Sequence, residues 1–176
     1  ALLAETLADD DEPERMIRLA SRIHDEAMRL AATVSDLSAL SLLEGVAVET
    51  EPVAIDEVIE AAFERVRGHA ATSGVEIRRR PGAEGAKVPA NLGQLVSALA
   101  NLLDNAIKYS PPDKPVLVSV AQDDDWLSIA VADEGIGIPS RDLERIFERF
   151  YRVDRARRRE TGGTGLGLAI VRHVAT

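Results

Sequence analysis

Met16, Ala20, Ile23, Ala27, Leu30, Val34, Leu37 and Ser41 recur at alternating spacings of four and three. This is an a/d heptad seam, and it constrains the fold more than any other feature, because a helix with one narrow apolar stripe must bury it against other helices. Pro13 suits the first turn of that helix, with Asp11 and Glu12 near its positive end. A short helical tail over residues 1–7 precedes it, which predicts an antiparallel helical hairpin that pairs with a second copy of the chain. An amphipathic helix packed on its own domain is the competing reading. Gly45 ends the helix, dividing the chain into residues 1–45 and 46–176.

The second unit mixes helix and strand. Residues 46–55 alternate enough to start a sheet, Asp56 is placed to cap a helix through about residue 71, and Gly74 closes it. Residues 75–79 and 87–89 predict strands around the Pro81–Gly85 turn. Residues 92–108 predict an apolar helix stopped by Pro111, Pro112 and Pro115, and residues 116–121 and 126–132 an antiparallel hairpin. Adjacent antiparallel strands with interspersed helices predict an α+β fold, with helices on one face of a mixed sheet.

Composition narrows the chemistry. The chain has 176 residues and no cysteine, which excludes disulfides, thiolate nucleophiles and Cys-ligated zinc, and its three histidines are scattered. No apolar run approaches the roughly 20 residues that span a bilayer, so the chain reads as a soluble piece, and the lack of cysteine fits a reducing compartment. A net charge of −9 argues against nonspecific nucleic-acid binding. Residues 141–159 run against this trend, with eight arginines and four acids, and suggest a local anion site.

Four clusters carry candidate chemistry. Asn101, Asn105 and Lys108 stand at i, i+4 and i+7 on one helical face, with Leu99, Leu102, Leu103 and Ile107 on the buried side. Asparagine offers a neutral oxygen to a hard cation and lysine a point charge to phosphate, although such residues on a helix are ordinarily just solvated. Asp133-Glu134-Gly135-Ile136-Gly137 follows a strand, where a carboxylate can accept a hydrogen bond from an exocyclic amine and glycines admit a flat ring; a plain turn competes. Residues 146–151 hold Phe147, Phe150 and Tyr151, which look like anchors docking the arginine-rich loop after them as a candidate lid. Gly163, Gly165 and Gly167 open an apolar helix, where bare backbone N–H groups can cradle a polyphosphate.

The order of these clusters resembles the catalytic and ATP-binding domain of sensor histidine kinases: residues 101–109 match the N box, 133–137 the first glycine box, 146–151 the F box and 163–167 the second glycine box. The heptad helix resembles the second helix of that family's dimerisation and phosphotransfer hairpin, and the closest flavour is the PhoR-like class of membrane-anchored kinases. The resemblance implies the Bergerat ATP fold, with Asn105 as Mg²⁺ ligand, Asn101 supporting it, Lys108 near phosphate and Tyr109 near the nucleoside. It implies that Asp133 reads the adenine amino group, Gly135 and Gly137 line the base pocket, Arg149 meets the terminal phosphate, and Gly163, Gly165 and Gly167 wrap the triphosphate. The implied activity is transfer of the γ-phosphoryl of ATP to a histidine of the dimer for relay to an aspartate of a response-regulator receiver domain, with membrane attachment only through segments outside this chain.

The chain departs from the family in three places. No His-Glu-x-x-Thr-Pro type acceptor motif is present, and His24 falls off the seam, so the sequence is expected to begin after the acceptor and to stop before the last strands of the sheet. At Asn91 the family commonly has an acid. Related hydrolytic ATPases place a glutamate base at the position of Asn101, and asparagine takes no proton from water, which disfavours hydrolysis. A non-catalytic dimerisation module with a vestigial nucleotide site is the third reading.

Overall fold

In a computed structural model of the protein, the structure describes residues 15–20, 23, 27, 30, 34, 49–124, 126–153 and 164–175. The described residues of the first segment are helical (α1), and the seam positions Met16, Ile23, Leu30 and Val34 are all exposed in the single chain. Leu37, Ser41, His24 and Gly45 lie outside the described residues.

The second unit runs β1 (Glu51–Ala54), α2 (Ile55–Ser73), β2 (Ile77–Arg79), β3 (Lys87–Ala90), α3 (Leu92–Tyr109), β4 (Val116–Gln122), β5 (Leu127–Ala132) and α4 (Gly167–Ala175). Two 3-10 turns, Ser140–Asp142 and Arg145–Phe147, lie between β5 and α4. β1 pairs antiparallel with β3, Val53 opposite Val88. β2 runs parallel to β4, and β4 antiparallel to β5, with Val118 opposite Val131. The described strands thus form two sheets, an antiparallel β1–β3 pair and a mixed three-stranded sheet ordered β2-β4-β5, and α2 and α3 pack on each other and share one core with β4, in keeping with an α+β pattern.

The core follows from periodicity. Val58, Ile59, Ala62 and Val66 face inward from α2, Leu99, Leu103 and Ile107 from α3, and Val116, Val118 and Val120 from one face of β4. Leu166 and Ile170 pack with Val174 in a second, smaller cluster where α4 lies against α3. Among the described residues no helix is long and apolar enough to cross a membrane.

Strand boundaries differ in places from the sequence reading. Strand β1 begins at Glu51, and Val75 precedes β2 rather than belonging to it. Asp56 is not a cap: Ala54 occupies that position and makes no side-chain cap bond, and Asp56 sits in the first turn of α2. Its carboxylate instead accepts hydrogen bonds from Arg79 at the end of β2 and from the Gly85 N–H, 3.1 Å away. Those bonds, Arg79 foremost, hold its pKa below the ordinary carboxylate value. The side chain thus ties the start of α2 to the β2–β3 turn.

Candidate nucleotide site along helix α3

Helix α3 starts where Asn91 caps it, accepting the Gln94 N–H at 3.1 Å, and stops where Ser110 leads into Pro111 and Pro112. The residue at which the family commonly has an acid therefore does a cap's work, which asparagine performs as well as aspartate. Burying Leu99, Leu103 and Ile107 turns the Asn101, Asn105 and Lys108 stripe to the opposite side, where all three are half-buried.

A glycine loop abuts each end of that stripe. At the Asn101 end, a Cβ on Gly167 would lie 2.6 Å from the Asn101 amide oxygen, so a side chain there would have to displace that amide. The Asn101 amide nitrogen donates to the Ser97 carbonyl at 2.9 Å, which fixes the amide's orientation. At the other end, a Cβ on Gly135 would lie 2.5 Å from the Tyr109 carbonyl and 2.8 Å from the Asp133 carboxylate. Gly135 donates its N–H to that carboxylate at 2.8 Å, and Lys114 pairs with Glu134 at 3.1 Å, so the loop after β5 is held against the end of α3. The two contacts are eight residues apart, roughly 12 Å along a helix rising 1.5 Å per residue.

Lys108 lies between them. Burial lowers the pKa of its ammonium, the nearby Arg152 lowers it further, and Asp104 opposes both. Two cationic side chains thus lie close enough to influence each other beside the polar stripe. The Lys108 ammonium also stands 5.4 Å from the centre of the Tyr109 ring, which is exposed beside it.

Gly165 adopts φ 74, and its carbonyl accepts the Phe150 N–H at 2.9 Å. Gly137 has φ 69 with open space around it. Arg149 is exposed on the turn leading to Phe150, and Gly163, with the arginine-rich stretch before it, lies outside the described residues. One expectation is corrected: Phe150 is not an anchor. The residue is 63% exposed and its backbone is left-handed at φ 63, with its contact to Gly165 made by the main chain, whereas Phe147 is half-buried and Tyr151 docks on Asp142. Sequence reasoning missed Asp142 and Arg152, since neither carries a local signal apart from its place in a basic stretch. His69, read as structural or exposed rather than as a metal ligand, meets Asp104 of α3 at 2.6 Å.

Among the described residues no three His, Asp or Glu side chains are grouped to hold a metal by themselves. The donor set along α3 instead suits a hard ion shared with phosphate oxygens: a half-buried neutral amide at Asn105 with a second, oriented amide one turn away at Asn101.

Residues 90–176 match the family of histidine kinase-, DNA gyrase B- and HSP90-like ATPases. The chain is 43% identical over 178 residues to the sensor-like histidine kinase SenX3 of Mycolicibacterium smegmatis, covering 99% of this chain and 46% of that protein. It is 35% identical over 175 residues to the phosphate regulon sensor protein PhoR of Pseudomonas aeruginosa, covering 97% of this chain and 39% of that protein. It thus spans less than half the length of these curated relatives. The mycobacterial sensor histidine kinase MprB superposes with a TM-score of 0.61 at 36% identity, over 71% of this chain and 77% of that one. Full-length ShkA in complex with AMPPNP superposes with a TM-score of 0.70 at 26% identity, over 90% of this chain and 33% of that one. Sequence, fold and the bracketed polar stripe agree: the chain belongs to the sensor histidine kinases, in their PhoR-like class.

Proposed function

We propose that this chain is the catalytic part of a two-component kinase, binding ATP with Mg²⁺ along α3 and presenting the γ-phosphoryl group to a histidine on the hairpin of a dimer. The observation that carries the reading is the polar stripe met at both ends by glycines packed against it, with a half-buried lysine between. The AMPPNP held by the related ShkA supports a triphosphate as the occupant.

Each residue then has work to do. Asp133 accepts from the adenine amino group, its orientation fixed by the Gly135 N–H, while Gly135 and Gly137 admit the base and Tyr109 flanks the nucleoside. Asn105, supported by Asn101, holds the ion, which when bound neutralises charge on the phosphate oxygens. Lys108 and Arg149 draw the phosphates in, and Gly163, Gly165 and Gly167 let backbone N–H groups face them. In the transfer, a histidine ring nitrogen attacks the γ-phosphorus, the bond to the bridging oxygen breaks, and ADP leaves with those electrons. The relay onward to a response-regulator aspartate belongs to the same proposal.

Hydrolysis is disfavoured because Asn101 takes no proton from water, and its amide is already committed to Ser97 and packed on Gly167. The deciding experiment supplies an acceptor-containing hairpin with labelled ATP and Mg²⁺. Acid-labile phosphohistidine is expected to form, and to be lost with Asn105→Ala. Steady phosphate release without acceptor labelling, abolished by substituting Asn101, would instead establish an ATPase.

A further inference from the structure

Asp142 is the one buried charged residue among the described residues, 6% exposed. A carboxylate withdrawn from water is costly unless partnered. One of its oxygens accepts the Tyr151 hydroxyl at 2.6 Å. The other is shielded and accepts no hydrogen bond among the described residues, and its ion partner Arg141 stands 3.5 Å away on an exposed side chain. The Tyr151 ring in turn lies under the Arg145 guanidinium, 4.2 Å from its centre, and Arg145 reaches Glu148 at 3.5 Å. Both 3-10 turns are thereby clasped onto one tyrosine.

What the clasp holds is the next residue back. Phe150 is a bulky residue in the left-handed region at φ 63, a conformation that costs about 1–2 kcal/mol and persists only where neighbours enforce it. Its ring is exposed and gives the turn little packing. Its N–H donates to Gly165, and a Cβ on Gly165 would lie 2.9 Å from the Phe150 Cα, so the two backbones touch. Two residues further on, Gly167 meets Asn101.

We infer that Asp142 and Tyr151 are positioning residues: their bond keeps Phe150 left-handed, and Phe150 then sets how Gly165 and Gly167 approach the polar stripe. The inference rests on the nucleotide reading of that stripe. Both act through the backbone between them and the glycines.

The test uses the whole chain and two readouts. Amide exchange over residues 148–152, without nucleotide, reports the Phe150–Gly165 bond, and AMPPNP titration with Mg²⁺ reports the site. Tyr151→Phe and Asp142→Ala are expected to speed that exchange and to weaken AMPPNP about tenfold, the size of one lost hydrogen bond to a charged group. Asp142→Asn, which still offers an oxygen to the hydroxyl, is expected to stay near wild type on both and remains informative if the alanine variant fails to fold. With an acceptor hairpin, Tyr151→Phe should raise the KM for ATP and leave kcat at saturation unchanged. Unchanged exchange in Tyr151→Phe overturns the clasp, and altered exchange with unchanged affinity overturns its positioning role. Failure of the wild-type chain to bind AMPPNP sinks the nucleotide reading and the positioning role with it.

Discussion

Lys108 makes the site sensitive to pH, and the sign follows from its surroundings. Burial and Arg152 depress its pKa below the ordinary lysine value of 10.5, so the nucleotide-free chain loses this charge at lower pH than a solvated lysine does. Phosphate beside the ammonium restores the charged form. Binding is therefore expected to take up protons in the window between the depressed pKa and 10.5, and to involve none from Lys108 below it, where the ammonium is protonated throughout. Calorimetry in buffers of different ionisation heat, at neutral and alkaline pH, measures this uptake. Lys108→Met should abolish it and weaken binding, and uptake that survives the substitution would assign it elsewhere. That Asn101, Asn105 and Lys108 share one face was legible from their spacing alone, because a helix puts i, i+4 and i+7 on one face whatever surrounds it, whereas their roles came only from the family resemblance. The depressed pKa was not, since Arg152 is far away in sequence.

At the scale of elements, the glycine segments divide by what lies against them. Gly137 and Gly165 both sit at positive φ, but Gly137 faces open space and Gly165 faces the Phe150 backbone. Gly137→Ala is expected to cost only the left-handed strain, about 1–2 kcal/mol. Gly165→Ala adds a backbone clash of the kind that costs a further ~1–3 kcal/mol, so it should lower the thermal midpoint more and weaken nucleotide more. Equal effects in melting and titration would argue against the Phe150–Gly165 contact. Helix and strand positions were read to within a few residues from apolar periodicity. The misreadings at Asp56 and Phe150 share one cause. A local rule assigned each a local role, as cap or anchor, and a partner far along the chain took it instead: Arg79 for Asp56, Gly165 for Phe150.

At the scale of the molecule, the seam on α1 leaves Met16, Ile23, Leu30 and Val34 between 60% and 69% exposed in the single chain. Burying a large apolar side chain contributes about 1.5–3 kcal/mol, so several in register favour pairing with a second copy. Sedimentation should find a concentration-dependent dimer, and Ile23→Asp with Leu30→Asp a monomer that still binds nucleotide. A monomeric wild type at high concentration would instead favour packing of the helix on its own chain. The sequence alone determined the seam, the order of helices and strands, and the four motifs in their succession, because each depends on residue types within a few positions of one another. Only the tertiary structure decided that Gly135 and Gly167 close the two ends of one helical stripe, that Arg152 bears on Lys108, and that Tyr151 satisfies Asp142. Those are matters of burial and proximity between distant segments, and they exist only once the core has drawn the segments together.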